Sequence, residues 1–188
     1  MRSFDQRSHT YLGYVLSVRG SVGSVERDVL IAISAATQNK HRLSSGDRVS
    51  GQAVPVAEPR GEIADLYRVS GFEVIERGES VSSSPPWRGV APSLSTYRQR
   101  GHRRLDATTY ESKCSGCMWG CRMPVEMIID QWNPEVRRYR DETFCYGPLS
   151  CSFYRAGAKR RVPGRKGMTW VEDDWVDQEE VGHRRPDD

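Results

Sequence analysis

Apolar residues along this chain fall in short runs, and no stretch carries the long amphipathic pattern of a helix. The runs Tyr11 to Val18, Asp28 to Ala36, Arg48 to Val56 and Ala64 to Glu76 are rich in β-branched and aromatic residues and predict strands. Gly20 to Arg27 suits a hairpin loop, the SSGD turn signal ends at Asp47, and Ser70-Gly71 predicts a bulge or tight bend inside the last run. From Arg77 to Tyr97 the text changes to serine, proline and glycine, which propagate neither helix nor sheet, and a linker is expected with the Trp87 ring docked on the surface. Strand patterns return at Met123 to Trp132 and Tyr139 to Gly147, separated by the turn-like NPEVRR.

The expected class is therefore mainly β. Its parts are an N-terminal β unit over 1–76, a linker over 77–97, a cysteine-rich module over 98–154 and a C-terminal extension over 155–188. Hydrophobic residues make up 37% of the 188 residues and the mean hydropathy is -0.67, so apolar material for a large core is scarce. No apolar signal region opens the chain and no run approaches a membrane span, which predicts a soluble, cytoplasmic protein.

In a reducing compartment clustered cysteines point to ligands or catalysts rather than disulfides. Five are present: Cys114, Cys117 and Cys121 lie within eight residues, and Cys145 and Cys151 follow. The CxxC of Cys114 and Cys117 precedes the first predicted strand of the module, and Cys145 and Cys151 close the second. A hairpin of this kind brings two sequence-distant pairs to one end, as a tetrahedral thiolate site requires. Zinc on Cys114, Cys117, Cys145 and Cys151 is the leading expectation, with Cys121 able to replace any one of them. A four-iron cluster on the same set is the alternative. Glycines at 116, 120 and 147 would let amide N–H groups turn toward sulfur. Thioredoxin-like chemistry lacks its flanking βαβ pattern, and none of the common phosphate-loop, metalloprotease or nucleophile-elbow motifs occurs, so a non-enzymatic protein is expected.

Two module-level resemblances follow from these residues. The stretch GDRVSGQAVPV and its neighbouring runs resemble an OB-fold, which implies a small closed barrel; the cysteine hairpin resembles a zinc ribbon, with CYGPLSC standing where that family repeats CxxC. The formal net charge is only +3, yet six cations and no acid lie between Arg155 and Lys166, and six acids and no base between Glu172 and Glu180. Tyr97, Arg98, Arg100, Arg103 and Arg104, together with Lys159, Arg160, Arg161, Arg165 and Lys166, are the expected contacts to RNA or single-stranded nucleic acid, within an assembly that includes protein partners. A structural subunit docking through the Trp87 linker and the acidic tryptophan tail is a further reading, and an iron-sulfur electron carrier another.

Overall fold

The computed structural model describes residues 13–79, 81–128, 132–133, 135–159, 161–163, 165–171, 178–179 and 181–185. Strands β1 (Gly13–Val22) and β2 (Val25–Ser34) pair antiparallel in full register, from Gly13 opposite Ser34 to Val22 opposite Val25. The connecting loop is thus two residues rather than the expected eight. Gly23, at φ +64, takes the left-handed first position that such a tight hairpin needs, and Arg19 holds Asp28 across the strands at 2.7 Å.

After β2 the chain forms a helix that the strand-like text concealed. In α1 (Ala35–His41) the Ser34 hydroxyl accepts the Thr37 amide at 3.1 Å, and Arg42 closes the end in the left-handed region at φ 48. The helix carries the chain past its neighbour, so β3 (Arg48–Pro55) pairs not with β2 but with β4 (Leu66–Glu76). The sheet order becomes β1-β2-β4-β3, with β2 and β4 parallel at Ile31 and Leu66. Among the described residues β1 and β3 remain edges and no sheet closes, so the barrel implied by the OB-fold resemblance does not form. The predicted irregularity at Ser70-Gly71 is present: Gly71 has φ +56 and the β3–β4 register slips beside it.

A small core of Val29, Ile33, Leu43, Ala64 and Leu66 lies under this sheet. Its rim is held by Asp47, whose side chain is 3% exposed and accepts the amides of Ser44 (3.0 Å) and Gly78 (2.9 Å) and the Arg77 guanidinium (2.9 Å).

The linker is shorter than expected because its end is helical. Ser93 caps α2 (Leu94–Arg100), which stops at Gly101. Beyond it, β5 (Arg103–Arg104), β6 (Gly120–Ile128) and β7 (Arg137–Cys145) form an antiparallel sheet in the order β5-β7-β6. The predicted hairpin is real but starts three residues earlier. A small hairpin of β8 (Arg161–Pro163) and β9 (Thr169–Val171) follows and is tied to β7 by Arg140 donating to the Arg161 carbonyl at 2.9 Å. The first sheet also touches α2 and the residues before it, since the Tyr14 hydroxyl donates to Pro92 O at 2.7 Å and its ring meets Tyr97 edge-on at 6.5 Å. Among the described residues no helix is long and apolar enough to cross a membrane.

Burial pushes the Asp47 carboxyl upward, but the two amides and Arg77 outweigh it and hold the group below its ordinary 3.8. A depressed carboxylate stabilises the fold above its unfolded value, and that contribution is lost as pH falls through the lower folded value. Asp47→Ala should cost about 2 kcal/mol in urea melts at pH 7. The gap from wild type should narrow once the pH drops below 3.8.

Candidate metal centre

Two backbone turns present the first pair of cysteines. Asp106 accepts the Thr109 amide at 2.8 Å and starts α3 (Ala107–Thr109), which widens into a single π turn over Tyr110–Cys114. The Cys114 carbonyl then accepts the Cys117 amide, and the Cys117 carbonyl accepts that of Gly120, both at 3.0 Å. The chain is wound so tightly that a Cβ at position 120 would lie 2.5 Å from the Cys114 carbonyl oxygen. Glycine is required there by the close approach of backbone, and β6 begins at that residue.

Strand alternation supplies the second pair. Residues opposite one another in an antiparallel pair share a face, and successive residues take opposite faces. Gly120, Cys145 and Arg103 are in register on one side of the β5-β7-β6 sheet, while Cys121, Phe144 and Arg104 are in register on the other. Cys145 thereby joins Cys114, Cys117 and Leu105 in one buried cluster, walled by Trp87, Tyr110, Trp119, Phe153 and Tyr154. Cys151 follows a turn closed by its own amide on Pro148 O at 3.1 Å and lies near enough to act electrostatically on Cys114. Cys121 belongs elsewhere, packed with Met123 against Tyr97, Val125, Phe144 and Tyr146.

The electrostatics follow this division. Burial, and then Cys117, Cys145 and Cys151, push the Cys114 thiol up to about 11. Burial also raises Cys117, opposed by the amides of Trp119, Trp87 and Gly120 aimed at its sulfur and reinforced by Cys145. The Gly147 amide donates to the Cys145 sulfur at 3.4 Å. Two of the three glycines singled out in the sequence, Gly120 and Gly147, therefore bring N–H groups to sulfur. Cys121 is pushed up to about 12 by burial alone, with no other cysteine acting on it. Among the described residues, no three cysteine, histidine, aspartate or glutamate side chains are already gathered tightly enough to hold an ion.

Several cations expected at phosphate are placed inside the module instead. Arg103 and Arg104 are 7% and 6% exposed; Arg103 donates to Pro148 O at 2.9 Å and lies 3.7 Å over the Tyr154 ring, and Arg104 donates to Ala158 O at 3.2 Å. Arg100 donates to Tyr146 O at 2.7 Å and stacks on Trp119. Tyr97, expected to stack on bases, is buried between Trp119 and Tyr146 with its hydroxyl on Met118 O at 2.6 Å. The cause is local: Gly101 ends α2 and turns the basic run into β5, a strand with core on both faces. Arg98, Lys159, Arg161 and Lys166 are exposed. Arg160 and the side chain of Arg165 lie outside the described residues, as does most of the acidic run after Val171.

Sequence reasoning did not foresee the Trp87 backbone as part of the site. Its amide serves the Cys117 sulfur and its carbonyl accepts the Met118 amide at 3.0 Å. The out-of-place tryptophan in a serine-proline stretch was the available signal.

A raised thiol pKa leaves less thiolate to react. In folded protein at pH 8, iodoacetamide should modify Cys121 at least about 100-fold more slowly than in urea, tenfold per pKa unit, as read by peptide mass spectrometry after timed pulses. Comparison of the chain with protein-family models, curated proteins and solved structures found no match.

Proposed function

We propose that the chain is a non-enzymatic binding protein whose C-terminal half is stapled by one zinc ion on Cys114, Cys117, Cys145 and Cys151, in a hairpin similar to a zinc ribbon, and that its ligand is RNA or single-stranded nucleic acid. The observation that carries this reading is the convergence of a cysteine knuckle and a strand end on one buried cluster, with amides directed at two of the sulfurs. Four thiolates are a complete tetrahedral set with no open position for substrate, which favours a structural ion. Reactive thiols need a lowered pKa, and burial drives Cys114 and Cys117 the other way. A bound cation reverses that penalty by deprotonating its ligands, and in small peptides such an ion contributes on the order of 10 to 16 kcal/mol of folding free energy. The modest cores of both sheets give that contribution a purpose.

Nucleic-acid contact is supported by the exposed cations Arg98, Lys159, Arg161 and Lys166. Arg160 and Arg165, outside the described residues and side chains, remain part of the proposed basic set.

Protein isolated without oxygen should contain one zinc per chain by elemental analysis. Cys114→Ser, Cys117→Ser and Cys145→Ser should each lose it, while Cys121→Ser should keep it. A brown preparation containing iron would replace zinc by a cluster on the same residues, and metal-free protein whose folding ignores chelators would end the reading.

Affinity for a single-stranded oligonucleotide should fall with salt, with a log–log slope of about -3 if four phosphates are neutralised. Binding that is indifferent to salt would point to a protein ligand instead.

A further inference from the structure

Arg103 is a buried cation whose partners do not account for its charge. A guanidinium is a charged group, and taking it out of water is costly unless an anion faces it. No carboxylate among the described residues pairs with it. Instead Nη2 donates to Pro148 O at 2.9 Å and Gly147 O at 3.5 Å, the Tyr154 ring lies 3.7 Å beneath, and Nε meets no acceptor. Nη2 also lies 3.9 Å from the sulfur of Cys145.

We infer that Arg103 is the counter-cation of the thiolate centre, a positioning residue that donates to the Cys145 sulfur and offsets the charge of the loaded site. The inference rests on the zinc reading above. Four thiolates around a divalent ion leave a net charge of -2, buried against Leu105 and five aromatic walls. One guanidinium halves it. The register that places Arg103 opposite Cys145 makes the pairing a property of the sheet, and the Tyr154 face holds the planar group at the correct height. An N–H group directed at sulfur withdraws electron density from it, which slows attack by electrophiles and retains the ion.

Arg103→Met keeps the stem and removes the charge, and Arg103→Lys keeps the charge and removes the fork. In competition with a chelator, the methionine variant should bind zinc roughly 10- to 100-fold more weakly than wild type, and the lysine variant should recover part of that loss. In cobalt(II)-loaded protein, the sulfur-to-metal charge-transfer band should move to lower energy in the methionine variant and part of the way back in the lysine variant. Equal zinc affinities, or equal losses in both variants with an unmoved band, would overturn the inference and reduce Arg103 to a clamp on the Gly147–Pro148 turn.

Should neither variant fold, wild-type protein loaded with cadmium-113 decides. Scalar coupling between the metal and a guanidinium proton of Arg103 supports the pairing, and its absence rejects it. Wild-type protein that takes up no zinc, cobalt or cadmium would instead remove the metal reading itself.

Discussion

Everything in the C-terminal half depends on the two-residue period of β7. Phe144 and Cys145 are consecutive, so one must face each side of the sheet, and each side builds a different interior. On the Phe144 side, aromatic rings and aliphatic chains form an ordinary apolar core with Val125 and Phe144 fully buried. On the Cys145 side, thiols, a guanidinium and aromatic walls form a polarisable pocket. A slip of one residue would exchange the two sets, sending Phe144 into the thiols and Cys145 into the core. The pairing of Gly120 with Cys145 guards against this, because the residue opposite Cys145 must lack a side chain for the Cys114 carbonyl to fit.

That same period explains why Cys121 separates from the other four. By sequence it is the natural third member of a CxxCxxxC run. By register it stands opposite Phe144, packed against the apolar cluster with its sulfur donating to the Arg122 carbonyl at 3.6 Å. Spacing alone left it interchangeable with the rest, since the strand had been expected to begin at Met123; once β6 begins at Gly120, the alternation assigns Cys121 to the far face.

Legibility in the sequence followed the range of the interaction involved. Strand runs, the turn before Arg48 and the irregularity at Ser70-Gly71 arise from local backbone preference and were readable. Both seven-residue helices were missed, because two turns are too short to show a period and each is announced by little more than a capping serine, Ser34 or Ser93. Barrel closure was expected from strand content, but whether β3 joins β2 or β4 is decided by where α1 delivers the chain. The basic run had the same weakness. Its charge is visible in the letters, whereas the inward direction of Arg103 and Arg104 is set by a helix stop at Gly101 and a strand too short to announce itself.

The Trp87 backbone has a practical meaning for anyone dividing this molecule. Because its amide and carbonyl are both spent on the cysteine knuckle, the stretch preceding α2 is a fixed strut of the module and not a spacer. A fragment cut at the apparent boundary near residue 98 would forfeit one donor to sulfur and one wall of the pocket. Fragments meant to stand alone should therefore begin upstream of Trp87, and even these would leave bare the patch on which the Tyr14 ring now rests.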